Sequence, residues 1–142
     1  MKVTIKRFDK DVPLPEHNSE GPSGFDFYVR ETTTIGPKET ALVPQNVAIQ
    51  CPEGHVMLLL SRSSTPKKGL MLANSVGVID YSYRGDGDEI KAFVYNFTDE
   101  SVTIEKGDRI VQGLFMAVDN VKWNEQDTLE AEDRGGFGTT GK

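Results

Sequence analysis

One cysteine, Cys51, and two histidines stand in the 142-residue chain, and that scarcity closes several routes at once. A single thiol forms no internal disulfide, and one cysteine with two histidines cannot build a four-ligand structural zinc site. A reducing compartment fits such usage. The chain lacks any run of about eighteen consecutive apolar residues, and its opening stretch, MKVTIKRFDK, has no apolar core, so neither a membrane span nor a signal peptide is expected. Positive charge is also short. Sixteen Lys and Arg against 22 Asp and Glu leave a net charge of −6, which argues against a general nucleic-acid or anionic-membrane surface. The expected setting is the cytoplasm, with no nucleic acid and no membrane as partner, and any anionic ligand must be handled locally. The length suits one domain with a substantial core.

Windows long enough for an uninterrupted amphipathic helix are scarce as well, because 14 glycines and seven prolines punctuate the chain. What remains is a series of short β-rich runs bounded by turn signals: KVTIKRF, FDFYVRE, TALVP, VAIQ, HVMLLL, VGVI, EIKAFVYNF, SVTI and RIVQGLF. In EIKAFVY, Ile90, Ala92 and Val94 alternate with Lys91, Phe93 and Tyr95, the period of a strand with two distinct faces. VMLLL is apolar without alternation and is expected to be buried on both sides. Many short strands without a long helix imply an all-β sandwich or barrel of jelly-roll type. The body is expected over residues 1–122. From 123 to 142 the chain turns polar, acidic and then glycine-rich, with Trp123, Leu129 and Phe137 as its large apolar anchors, and reads as an arm.

Five stretches can carry chemistry, and each has an ordinary reading too. SVGVIDYSYRGDGD poses the sharpest question, because the apolar run Val76–Ile79 ends abruptly on Asp80. A lone aspartate there would cap a strand and open a turn. SGFDFY sets Asp26 between aromatics, ordinarily an edge-strand aspartate facing water. LSRSSTPKKG is ordinarily a solvated turn, but Arg62, Ser63 and Ser64 can also cradle a phosphate, the hydroxyls and backbone N–H groups gripping oxygens while the guanidinium supplies forked, charge-assisted donors. GDRIVQGLF is a turn and core strand with Gln112 on its wet face, or a phosphate contact through Gln112. DRGGFGTTGK is a frayed tail, or a mobile lid with an arginine for phosphate, a ring for a base and four glycines for backbone freedom.

Taken in order, these five stretches resemble the five motifs of the homotrimeric dUTP pyrophosphatases, the dUTPases. SGFDFY is similar to the first, SRSS to the second, NSVGVIDYSYRGD to the third, GDRIVQGLF to the fourth and RGGFGTTG to the fifth. The resemblance implies a distorted jelly roll or β-clip with a C-terminal arm, assembled as a trimer with shared active sites. Motifs one, two and four of each site would come from one subunit, three from a second and five from the third. It implies hydrolysis of dUTP to dUMP and pyrophosphate with Mg²⁺, which limits uracil incorporation into DNA and supplies dUMP for thymidylate synthesis. Asp80 would be the base that activates the attacking water. Asp26 would touch the metal through water, since Mg²⁺ keeps much of its hydration shell. Asn74 and backbone groups through Val78 would read uracil, and Tyr83 would pack on the deoxyribose and exclude a 2′-OH. Phe137 would stack over the base, with Gly138 and Thr139 of the same motif at the substrate. Arg62, Arg109 and Arg134 with Mg²⁺ would neutralise the roughly four charges of a triphosphate.

Several positions depart from the family pattern. The fifth motif is two residues short between Arg134 and Phe137, Ser61 replaces a proline, Ser64 stands where glycine is frequent, and the loop before Asn74 is slightly short. Tyr81 and Ser82 stand where small or acidic residues are usual, and Gly113 is unusual. The short fifth motif and RSST resemble a divergent bacterial or phage branch, whose setting would be the bacterial host cytoplasm. The dCTP deaminases share the fold, but Phe93 stands where their catalytic glutamate is expected and Glu89 lies four residues earlier. A partner-binding regulator of the same fold would be marked by loss of a motif residue, and none is lost.

Overall fold

The computed structural model describes residues 1–21 and 23–138. Its strands, in chain order, are β1 (Thr4–Arg7), β2 (Glu16–His17), β3 (Phe25–Asp26), β4 (Thr33–Ile35), β5 (Thr40–Pro44), β6 (Val47–Gln50), β7 (His55–Ser61), β8 (Leu70–Leu72), β9 (Gly77–Ile79), β10 (Lys91–Asn96), β11 (Val102–Ile104) and β12 (Val111–Ala117). The largest sheet has the order β2-β3-β12-β7-β9 and the next β5-β10-β8, with β1-β6 and β4-β11 as two-stranded ribbons. Every pairing is antiparallel. Met57, Leu59 and Val111 from the large sheet share one apolar cluster with Val43, Leu70, Leu72, Ala92 and Val94 from the smaller one. The two sheets therefore pack face to face around a common core, the all-β, jelly-roll-like arrangement anticipated from the spacing of short strands.

Local pattern and observed structure agree best where alternation was strongest. In and just before β10, Ile90, Ala92 and Val94 are buried while Lys91 and Phe93 are exposed. β7 differs from expectation. Met57 and Leu59 are buried, but Val56, Leu58 and Leu60 are only half-buried and lie outside the core cluster, so one face of this strand is incompletely covered. The run FDFYVRE is regular strand only at Phe25–Asp26. Beyond it the chain follows the turn before β12 irregularly, with Phe27 N–H donating to Val111 O, Val29 N–H to Asp108 O and Gly107 N–H to Val29 O. Phe27 and Val29 are still fully buried. Strands β2, β4 and β8 are too short to announce themselves in sequence. So is the 3₁₀ turn Thr65–Lys68, which starts beside Pro66 and stops at Gly69, whose φ of 80° suits a residue without a β-carbon.

The unusual Gly113 has a packing reason. A β-carbon there would sit 2.7 Å from Phe27 Cε2 and 2.8 Å from Phe25 Cε2, and Phe27 has no exposed surface into which to retreat. Gly113→Ala is expected to cost about 1–3 kcal/mol through overpacking, read as a lowered melting temperature. An unchanged melting temperature would show that the two rings can rearrange freely. After β12 no described residue is helical or extended into a strand, and Trp123, Leu129 and Phe137 are 91%, 88% and 112% exposed, so none packs on the body of its own chain.

Candidate active site

Asp80 leaves the large sheet one residue after Ile79, at the end of β9. Its Oδ1 accepts hydrogen bonds from Ser82 N–H (2.7 Å) and Ser82 Oγ–H (2.6 Å), and its carbonyl accepts from Tyr83 N–H at 3.3 Å. This is an Asx-type turn, so the ordinary reading of Asp80 as a turn opener describes half of what it does. The Ser82 hydroxyl, and then its N–H, hold the Asp80 carboxyl below the ordinary value of 3.8. Asp80 is exposed and ionised near neutrality, and Oδ2 has no hydrogen-bond partner among the described residues. Ser82, which the sequence marked only as a departure, is the group that orients this carboxylate.

A cleft of about 540 Å³ opens beside Asp80, and Asn74, Val78, Tyr83 and Lys91 line it. Tyr83 donates its hydroxyl proton to Glu89 O at 2.9 Å, which fixes the ring as one wall, and burial, followed by the charges of Asp88 and Glu89, raises its phenol above the ordinary range. Asn74 enters through a tight turn in which Val76 N–H donates to Asn74 O (2.7 Å) and Ser75 adopts a left-handed φ of 61°. Such a conformation is uncommon for a residue with a β-carbon, and it brings backbone groups to the cleft mouth. Glu89 is not available as a base. Its two oxygens bind Arg30 Nε at 2.8 Å and Nη2 at 2.9 Å, and Oε1 also accepts from Asn46 N–H.

A second polar cluster lies at the other end of β7. Asp26 is 1% exposed rather than water-facing, because β3 is flanked by β2 and β12 and is not an edge. Its Oδ2 lies 2.9 Å from Arg62 Nε and 3.4 Å from Arg109 Nη1. Arg62 Nη1 donates to Arg109 O, Arg109 Nη1 also to Asn18 Oδ1, and Gln112 Nε2 to Ser61 O at 3.1 Å. Gln112 is half-buried, paired in register with Asp26 and Leu60. Ser63 and Ser64 follow Arg62 directly, and neither hydroxyl has a partner among the described residues. Asp26, Arg62, Arg109 and Gln112 thus converge from three separated stretches, with Ser63 and Ser64 next to Arg62 in the chain. Asn18 belongs to this cluster too and carried no sequence signal.

Among the described residues no hydrogen bond or ion pair joins the two clusters. Ile79 pairs with Met57, which sets Asp80 level with Val56, whereas Arg62 lies six residues further along the β7 direction, about 20 Å at 3.3 Å per residue. Arg134, Phe137 and Gly138 reach neither cluster as a packed element: Arg134 is exposed and the Phe137 ring is wholly exposed. Thr139 lies outside the described residues.

A family model described as dUTPase matches residues 10–141. The deoxyuridine 5′-triphosphate nucleotidohydrolase of Lactococcus lactis subsp. lactis is 41% identical over 144 residues, covering 99% of this chain and 95% of that protein. The crystal structure of dUTPase from Streptococcus mutans superposes with a TM-score of 0.76 at 36% identity, over 84% of this chain and 98% of that one. The dUTPase of Staphylococcus bacteriophage 80alpha, solved with dUPNHPP, superposes with a TM-score of 0.86 at 26% identity, over 99% of each chain.

Proposed function

Because this chain belongs to the dUTPase family, we propose that it hydrolyses dUTP to dUMP and pyrophosphate. The observation that carries the reading is Asp80 at a strand end, one oxygen fixed by Ser82 and the other without a partner, beside the cleft that Asn74, Val78 and Tyr83 line. In the reaction the free Asp80 oxygen accepts a proton from water while that water's oxygen bonds to the α-phosphorus. The bond from the α-phosphorus to the α,β-bridging oxygen breaks, its electron pair leaving with pyrophosphate. A rigid mount at a strand end suits a carboxylate that must hold one water in line.

The substrate is taken to be the magnesium complex of dUTP. Among the described residues no group of three His, Cys, Asp or Glu side chains could hold a metal, and the carboxylate of Asp26, whose Oδ1 has no partner, is the group that would reach the substrate's Mg²⁺ through water. When bound, the ion offsets phosphate charge. The chain's own share of that task falls to Arg62, Arg109 and Arg134, with Ser63, Ser64 and Gln112 as neutral donors. Asn74 and the backbone through Val78 take the uracil edge, Tyr83 the deoxyribose, and Phe137, Gly138 and Thr139 the closing arm. Residues 1–122 serve as the body and 123–142 as the arm.

Homotrimeric assembly with shared sites belongs to the same reading. Asp80 and the Arg62 cluster must serve one phosphate chain, yet within a subunit Asp80 falls level with Val56, six residues or about 20 Å from Arg62 along the β7 direction. A second subunit supplies the missing half, and the exposed apolar residues of the arm find cover on a third. A cytoplasmic location agrees with there being no helix among the described residues long and apolar enough to cross a membrane. The dCTP deaminase alternative is disfavoured because Glu89 is engaged by Arg30 and Asn46 and Phe93 supplies no acid or base.

Product analysis with dUTP, dTTP, UTP and dCTP tests the assignment. Turnover of dUTP alone, with no ammonia from dCTP, is expected, and Tyr83→Ala should narrow the preference for dUTP over UTP. Comparable turnover of dTTP would sink the uracil-pocket assignment, and an unchanged UTP ratio in the variant would remove Tyr83 from sugar selection.

A further inference from the structure

We propose that the ion pair between Arg30 and the buried Glu89 positions the sugar wall of the cleft: it fixes the backbone on which the Tyr83 hydroxyl is anchored, and so sets the preference for a deoxyribonucleotide over its ribonucleotide. The proposal rests on the dUTP reading for the nucleotide and on the protein's own contacts for the anchor. Tyr83 sits in the stretch 81–87, every residue of which is exposed and none of which belongs to a strand. Among the described residues two side-chain hydrogen bonds tie this loop to the body. Lys6 Nζ donates to Asp86 O at 2.8 Å, and the Tyr83 hydroxyl donates to Glu89 O at 2.9 Å. The second bond sets the ring, because a phenol held at its backbone and at its para oxygen keeps only rotation about its own axis.

Glu89 is held from several directions. Its N–H donates to Gly87 O at 2.9 Å, the following N–H, of Ile90, donates to Val47 O at 2.8 Å, and Ile90 O accepts from Gln45 N–H at 2.9 Å. Its carboxylate takes Arg30 Nε at 2.8 Å and Nη2 at 2.9 Å as a two-pronged pair, and Oε1 also accepts from Asn46 N–H at 3.0 Å. Arg30 has its own N–H on Pro44 O, and its Nη1 also reaches Glu31 at the surface. Segments around residues 30, 44–47 and 89–90 are thereby locked together beneath the loop. Glu89 is only 5% exposed, and taking a carboxylate out of water costs much of what the pairing returns, so stability alone is a weak reason for the pair. What apolar side chains of the same size could not supply is direction. The forked contact holds the acid, its backbone and the carbonyl that Tyr83 uses in one orientation. A wall that rejects a 2′-OH by contact works only if it cannot recede.

Steady-state kinetics with dUTP and UTP reads the sugar preference as a ratio of kcat/KM values. Tyr83→Phe, which keeps the ring and removes the anchor, is expected to narrow that ratio about three- to tenfold, the scale of one neutral hydrogen bond. The change should come chiefly from a higher kcat/KM for UTP. Arg30→Lys, which keeps the charge and loses the fork, should act in the same direction, and the double variant should go no further than Tyr83→Phe, since both act on one wall. A lowered melting temperature with an unchanged ratio in Arg30→Lys would make the pair merely structural and overturn the proposal, as would additive effects in the double variant. If Arg30→Lys does not fold, Arg30→Met with Glu89→Gln removes both charges and keeps an acceptor for Asn46 N–H, and an unchanged ratio there overturns it equally. A substrate-free measurement separates the anchor from the dUTP reading. Burial, followed by the charges of Asp88 and Glu89, holds the Tyr83 phenol above its ordinary value of 10.0. In an NMR titration of isotope-labelled tyrosine, Arg30→Lys should bring it back toward that value, and no movement would overturn the anchor. Should the unaltered protein turn over neither nucleotide while the phenol still answers to Arg30, the dUTP reading falls and the anchor stands.

Discussion

Asp80→Asn is expected to lower dUTP turnover by about 10²–10⁴-fold, the range that a positioned general base contributes. Melting temperature and dUTP affinity should change little. Asparagine keeps an Oδ1 that can accept the Ser82 N–H and hydroxyl bonds, so the turn at the end of β9 is preserved while the proton acceptor is removed. The structure makes this separation sharp, because the turn uses one oxygen of the carboxylate and the proposed chemistry the other. Ser82 holds the free-enzyme carboxyl below 3.8, so Asp80 should impose no fall in kcat/KM until the pH drops below that value. A large loss of melting temperature with normal residual chemistry would mean that Asp80 serves the turn alone. Steady-state kinetics, nucleotide titration and thermal unfolding on one preparation decide the matter.

Subunit mixing gives the second large effect. A chain truncated before Arg134 and a full-length Asp80→Asn chain are each expected to be nearly inactive, one lacking the arm and the other the base. Refolded together, they should recover about a quarter of wild-type activity, since random mixing in a symmetric trimer places an intact Asp80 and an intact arm at the same site in roughly one case in four. The expectation follows from two features of the fold: the Asp80 cleft and the Arg62 cluster lie at opposite ends of β7, and the arm leaves its own body with Trp123, Leu129 and Phe137 uncovered. Activity near zero in mixed trimers verified by mass would mean that base and arm serve a site from the same chain. The shared-site model would then be abandoned.

Much of this protein is legible in its sequence because strand structure writes itself locally. Alternation at Ile90–Tyr95 marks the buried and exposed faces of β10, and TALVP and VAIQ coincide with β5 and β6 because turn-forming residues bracket them. The end of an apolar run on Asp80 is likewise a local signal, and it does mark a carboxylate at a strand end. The order of the five motifs needs no three-dimensional information, since each is a short stretch of suitable side chains. FDFYVRE and VMLLL were harder to read. Composition reports a preference for extended backbone, but not whether a partner continues the ladder or a second layer covers the outer face.

Tertiary structure decided what depends on residues far apart in the chain. Asp26 looks like a water-facing aspartate beside aromatics until β3 is slotted between β2 and β12, 83 residues separating it from Arg109. Gly113 looks like a defect until the rings of Phe25 and Phe27 are seen against its backbone, and Ser82 like a departure until its hydroxyl is found on Asp80. Glu89 resembles a spare acid until Arg30, 59 residues away, closes on it. The sequence by itself determined the β-rich class, the placement of Asp80 at a strand end and the family to which the chain belongs, because these follow from periodicity and residue type within short stretches. Sheet order and register alone decided that Asp26 is buried between two guanidiniums and that the two halves of the candidate site lie at opposite ends of one strand, because cross-strand pairing brings together residues whose separation along the chain carries no local pattern.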